Sequence, residues 1–158
     1  MNVRVDGTRN AARGSRQATP SAAAGALLVD ASATRVRAAA LRGRSLDAIR
    51  DWPPDVASVP PVGVAPSRVL VANTGGATTA TRLAAAVRAA WRIDAEFVAP
   101  RTEVARLYCA EPHAVGVDRW LGMIAASQRA DRDAFVVVTC GAVLAVDLVD
   151  GGGRHRGS

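Results

Sequence analysis

At 158 residues and 49% hydrophobic side chains, the chain has the length of one domain or two small lobes and enough apolar content for a core. Its net charge is +6, yet all twenty basic residues are arginine and lie scattered along the chain, with few aromatics among them, which argues against a nucleic-acid surface. Two cysteines without CxxC spacing indicate neither a disulfide framework nor a zinc site, and no apolar run reaches the ~18 residues of a membrane span, so a cytoplasmic chain with neither nucleic acid nor membrane as partner is expected.

Residues 1–25 mix Gly, Pro, Arg, Ser and Thr without apolar periodicity and read as a disordered extension. Ala26 to Asp30 is a short apolar strand, and Thr34 to Leu41 alternates Arg35 and Arg37 with Val36 and Ala38, the period of a half-buried partner strand. Five prolines between Arg42 and Ser67 forbid regular structure over most of that interval, apart from a short helix at Leu46 to Arg50. Arg68 to Ala72 is a third strand, and Asn73-Thr74-Gly75-Gly76 turns the chain into a helix capped by Thr78 or Thr79, with Leu83, Val87 and Trp91 on one face. Ala95 to Val98 follows as a strand, which makes a strand, helix, strand succession and predicts an α/β sheet.

Downstream, a helix is predicted from the Gly116 stretch through Leu121 and Ile124 to about Gln128. Phe135 to Val138 reads as a buried strand, Thr139 to Ala142 as a tight loop, Val143 to Val149 as a strand with Asp147 at an alternate position, and Gly151 to Gly153 as a turn. Leu27 to Leu41 and Val136 to Asp150 share one plan, an apolar strand, a small polar loop and a second strand, as a duplicated hairpin would. Two such hairpins facing each other would let loop N–H groups surround a phosphate. His113 and His155 have no ligand spacing and read as turn or surface residues, and the three tryptophans as core or rim fillers.

The stretch richest in chemistry is Gly116-Val117-Asp118-Arg119-Trp120. A carboxylate and a guanidinium side by side where a loop enters a helix supply a base and an anion-binding group to one ligand. The plainer reading is a carboxylate complementing the helix dipole, with Arg119 solvated.

Taken together, Leu27 to Asp30 with its loop, Val69 to Gly76, Tyr108, Pro112, the Gly-x-Asp-Arg-Trp run and the Thr139-Cys140-Gly141 hairpin resemble type III pantothenate kinases. The resemblance implies an α/β fold of the ribonuclease H-like, actin-like ATPase kind shared with acetate and sugar kinases, Hsp70 and actin. Residues 26–115 would form a complete first lobe and 116–158 the start of an incomplete second one, usually in a homodimer. It also implies a transferase of coenzyme A biosynthesis that phosphorylates pantothenate with ATP, Mg2+ and a monovalent cation, K+ or NH4+. In that scheme Asp118 would take the proton of the pantothenate hydroxyl and Arg119 would hold the carboxylate, while Tyr108, Gly116 and Val117 would line the pocket. Asp30, Ser32, Ala33, Thr34 and Arg37 would form the first phosphate loop, and Gly141 and Ala142 the second. Asp30 and Thr139 would face the metal.

The phosphate loops depart from the family pattern. Where Asp-x-Gly-Asn-Thr or Ser is usual, the chain has Asp30-Ala31-Ser32-Ala33-Thr34, without the glycine and the asparagine. In the second loop Ala142 and Ala145 stand where hydroxyls are usual, Arg106 replaces an asparagine two before Tyr108, and family members continue well past the second hairpin. The alternative expectation is therefore an inactive paralogue or fragment acting, if at all, as a binding or accessory protein.

Overall fold

The computed structural model describes residues 24–53, 65–141 and 143–158. The extension expected at 1–25 lies almost wholly outside them, as do Pro54, Pro60, Pro61 and Ala142; Ala24 and Gly25 already belong to the first strand. The architecture is mixed α/β, with a six-stranded sheet, a three-stranded sheet, a two-stranded ribbon and two α-helices among the described residues.

The first sheet is built on β1 (Ala24–Ala31), which pairs antiparallel with β2 (Val36–Arg42). Two short strands, β3 (Ser45–Leu46) and β4 (Arg50–Trp52), pair with β2. They replace the helix expected at Leu46 to Arg50: five residues make barely one turn of helix, whereas the open edge of β2 offers a backbone partner to each short segment. On the other side of β1, β5 (Pro66–Asn73) and then β6 (Ala95–Phe97) pair in parallel.

The crossover from β5 to β6 is α1 (Gly76–Trp91), which lays Leu83 and Val87 on one face of the sheet. That face carries Leu27, Val29 and Ala31 of β1, Val36 and Ala38 of β2, and Val69 and Val71 of β5, at the alternate positions of each strand, while Leu28 and Leu70 point to the opposite face. Trp52 closes the β4 end of this core and is buried. Each fully buried Leu or Val contributes about 1.5–3 kcal/mol. The cap expected from Thr78 or Thr79 does not form: Gly75 is the N-cap, without a side-chain cap, and Thr79 Oγ1 donates to Gly75 O at 3.1 Å. The glycine pair carries the chain into the helix a turn earlier than the threonines.

The ribbon comprises β7 (Glu103–Val104) and β8 (Leu107–Tyr108). A 3-10 turn at Pro112–Ala114 leads to α2 (Val117–Ser127), and the second sheet follows as β9 (Phe135–Cys140), β10 (Leu144–Val149) and β11 (His155–Gly157), with β10 central. Trp120 and Met123 of α2 pack with Leu107, Cys109, Val115 and Val149 as a second core. The hairpin β9–β10 is antiparallel like β1–β2, and its turn sits later than expected, because Thr139 and Cys140 are still in register with Ala145 and Leu144.

Phe135 to Val138 is not a buried strand. Val136 and Val138 are 54% and 57% exposed while Phe135 and Val137 face α2, since a helix covers only one side of this sheet among the described residues. Leu144, Val146 and Leu148 extend the exposed apolar side onto β10.

Candidate active site

The first group of functional residues lies at the carboxyl ends of parallel strands β1 and β5. Asp30 and Arg37 are register partners, and Arg37 Nη2 donates to Asp30 Oδ2 at 2.5 Å. The Ser32 hydroxyl is spent locally, donating to Arg35 O and accepting from Arg35 N, both at 3.1 Å, so the Ser32–Arg35 turn is closed by its own side chain. Ala33 and Thr34 sit exposed at its tip.

The neighbouring turn, Asn73 to Gly76, presses against this one. Thr74 N donates to Ala31 O at 2.7 Å, and a Cβ on Gly75 would fall 2.8 Å from Ser32 O, so only glycine permits the approach. Asn73 fixes the turn by accepting from Gly75 N at 3.0 Å and donating to Gly76 O at 2.9 Å. The two turns thus bring Asp30 and the start of α1 together outside the ends of parallel strands, where open α/β sheets take anionic ligands. Asn73 and Gly75 were legible only as a turn, though an Asn-x-Gly-Gly sequence between strand and helix carries the signal for this geometry.

The second group opens α2. Gly116 is the N-cap, and a Cβ there would fall 2.7 Å from Asp118 Oδ1, so the glycine makes room for the carboxylate to fold back over the helix start. Asp118 is exposed, whereas Val117 is buried in the core and offers no side chain to a pocket. Arg119 is not solvated: Nε donates to Asp147 Oδ2 at 2.9 Å and Nη2 to Oδ1 at 2.6 Å, a bidentate pair in which Asp147 is fully buried. The guanidinium holds the Asp147 carboxyl below its usual range, and the carboxylate raises Arg119 in turn.

His155 completes this cluster. Its Nε2 lies 3.0 Å from Asp147 Oδ1 and its Nδ1 3.6 Å from Cys109 Sγ, and burial pushes the Cys109 thiol up. His155, expected as a turn or surface residue, is instead largely buried against Asp147, which the sequence marks only as an acid at an alternate strand position. The available signal was an acid on the inward side of a strand whose inward neighbours are Ala145 and Val149, a position that requires a cationic partner.

Other expected site residues are placed differently. Tyr108 stacks under the Arg154 guanidinium, 4.9 Å from its ring centroid, and lines a cavity whose walls include none of Gly116, Asp118 and Arg119. Thr139 is half-buried near the end of β9, and Gly141 lies in the exposed turn beyond, closed by Gly141 N donating to Val143 O at 3.2 Å.

A cavity next to the first group reaches α2 at Leu121. Leu121 of α2 and Val98 face Leu28, Asp30, Leu70 and Ala72 around an apolar cavity of about 380 Å³, with Asp30 and Arg37 as its charged end. Asp118, three residues before Leu121 on α2, is not among the residues that line this cavity. A Cβ on Gly122 would fall 3.4 Å from Val137 Cγ1, so α2 packs closely on β9 at this point. Among the described residues no group of three or more His, Cys, Asp or Glu could hold a metal.

A family model described as type III pantothenate kinase matches residues 25–158. The type III pantothenate kinase of Nitrosococcus oceani is 36% identical over 98 residues, covering 58% of this chain and 36% of that protein. That of Cellvibrio japonicus is 44% identical over 48 residues, covering 30% of this chain and 19% of its own. The matched segment thus spans about a third of the first relative's length. With the match running from the first strand to the last residue, the chain belongs to the type III pantothenate kinase family.

Proposed function

We propose that the chain carries the pantothenate half of an ATP-dependent pantothenate kinase, a cytoplasmic transferase of coenzyme A biosynthesis with the two-lobed actin-like ATPase architecture. What supports the lobe assignment is the strand order: antiparallel β3, β2 and β1, then parallel β5 and β6 with α1 as crossover, is compatible with a ribonuclease H-like lobe. The observation that carries the functional reading is an exposed carboxylate at the start of α2 beside an arginine already fixed by a buried acid.

In the proposed reaction the primary hydroxyl oxygen of pantothenate attacks the γ-phosphorus of ATP. The new O–P bond forms as the bond to the β–γ bridging oxygen breaks, ADP leaves, and the hydroxyl proton passes to the Asp118 carboxylate. Asp147 engages Arg119 through Nε and Nη2, which leaves Nη1 for the substrate carboxylate. The turns at Ser32 and Gly75 would face the phosphates, and Asp30 would hold Mg2+, which neutralises phosphate charge when bound. The monovalent cation and the homodimer belong to the same proposal.

The test is single-turnover phosphorylation of pantothenate with Asp118→Asn beside the unaltered chain. Loss of the base lowers the rate by about 10²–10⁴-fold while pantothenate still raises the melting temperature. Turnover that survives the substitution would place the base elsewhere. Pantothenate binding without turnover in the unaltered chain would favour the accessory reading, for which Arg37 on Asp30 and the self-satisfied Ser32 are the supporting observations.

A further inference from the structure

We propose that Arg106, Arg132 and Arg154 form a second site, for a small phosphate-bearing ligand, at the glycine turn between β10 and β11. The three arginines come from three separate segments, the β7–β8 turn, the loop after α2 and the start of β11, and line one polar cavity of about 590 Å³.

Glycine is what brings them together. Gly153 adopts φ +82°, and a Cβ on it would fall 1.8 Å from Arg106 O; a Cβ on Gly151 would fall 2.6 Å from Arg132 O. Tyr108 N donates to Gly153 O at 2.8 Å, which locks β8 onto the turn. Any side chain at 151 or 153 would push the arginine-bearing segments apart. Arg132 itself holds φ 75°, and Asp131 before it φ 39°, conformations that cost free energy in non-glycine residues and persist only where surrounding structure enforces them.

Among the described residues none of the three guanidiniums is held in an ion pair. Asp150, the nearest acid on the turn, points Oδ1 inward to accept from Gly152 N at 3.0 Å and Arg154 N at 2.9 Å, and its Oδ2 lies 3.8 Å from Arg156. Among the described residues no carboxylate lies within 4.0 Å of the Arg106, Arg132 or Arg154 guanidinium, and Glu103 is the one acidic residue on the cavity wall. Arg154 is held in place by the Tyr108 ring, so part of the entropy of ordering it is already spent. On this cavity three guanidiniums face Glu103 alone, while Asp133 and Asp150 line a smaller adjoining pocket with Arg106 and Arg132; that excess of positive charge suits a multiply charged phosphate better than a single carboxylate, and each fork can bind two phosphate oxygens.

None of Asp30, Gly116, Asp118 and Arg119 lines this cavity, although Tyr108, which the family resemblance gives to the pantothenate pocket, does. Arg132 follows the C-terminal end of α2 whereas Asp118 opens it, and the helix between them is about 16 Å long at 1.5 Å per residue. The reading therefore stands whether or not the chain transfers phosphate.

Calorimetric titration of the full chain with inorganic pyrophosphate in low salt tests it. The expected result is saturable binding that weakens by at least about tenfold in the triple variant Arg106→Gln, Arg132→Gln, Arg154→Gln, with a smaller loss in Arg132→Gln alone, and that Asp30→Asn and Asp118→Asn leave unchanged. Circular dichroism confirms that the surface variants fold. Absence of saturable binding overturns the proposal, as does undiminished binding by the triple variant. Loss on Asp30→Asn alone would assign the pyrophosphate to the first sheet's turns. A single-stranded oligonucleotide that binds through the same arginines while pyrophosphate does not would also overturn it.

Discussion

The two sheets of this chain solve the same packing problem with different chemistry. Around β1 and β5 the core is apolar apart from the buried Trp52 indole N–H, and the charged residues sit at the strand ends or on exposed edges. Around β10 the core admits an acid with no exposure at all, held by Arg119 and His155, while an apolar side of the same sheet lies bare. The first arrangement makes a stiff platform that is indifferent to protonation. The second fixes the orientation of an arginine beside the candidate base and makes that part of the fold depend on one buried ion pair.

The strongest way to break this contrast is Asp147→Ala. It leaves the Arg119 side chain, 20% exposed, without its counter-ion, and the expected cost is about 3–5 kcal/mol in urea unfolding. In the first sheet the matching deletion is Leu83→Ala, which empties a fully buried position between α1 and the sheet and costs about 2–5 kcal/mol. The variants differ in what else they change: Leu83→Ala should leave pantothenate binding intact, whereas Asp147→Ala should abolish it by freeing Arg119. Equal loss of binding in both would erase the distinction drawn between the sheets.

Much of the first sheet was legible because its sequence and its environment agree. Val36 and Ala38 alternate with arginines and point inward, and Leu83 and Val87 recur at helical spacing and meet them. The Gly-x-Asp-Arg-Trp run marked the start of α2 for a physical reason too, since the glycine clears space for the carboxylate. What stayed hidden depends on long-range pairing. Asp147 meets Arg119 across 28 residues and His155 across 8, and a single acid in a strand does not declare its partner. The strands at 45–46 and 50–52 were hidden likewise, because the edge of β2 that recruits them is invisible in their own residues. The exposure of Val136 and Val138 was missed because an apolar run reads the same whether one face is covered or two.

A gentler probe of the contrast is pH. Because the Asp147 carboxyl is held below its usual range when folded, its contribution is fully present above the unfolded value of about 3.9 and is lost as pH falls through the lower folded value. Asp147→Asn removes that titration, so the stability gap between the unaltered chain and the variant, wide at pH 7, should narrow as the solution is acidified below about pH 4. A gap that stayed constant down to acid unfolding would mean that Arg119 does not favour the ionised acid.

The smallest effect separates the two cysteines. Cys109 is 1% exposed, contacts His155, and has its thiol pushed up by burial, so it should stay protonated and out of reach of a thiol reagent. Cys140, at the exposed end of β9, should react at once. Titration with a chromogenic disulfide at neutral pH should therefore give one fast equivalent and a second that appears only at the rate at which the second core opens. If Asp147→Asn loosens the His155 contact without unfolding the chain, the slow equivalent should accelerate while the fast one does not. Leu83→Ala, acting in the other core, should leave the slow rate nearly unchanged so long as the two cores open independently. Acceleration by both variants alike would show instead that the sheets open as one cooperative unit, with the buried ion pair and the aliphatic platform sharing a single barrier.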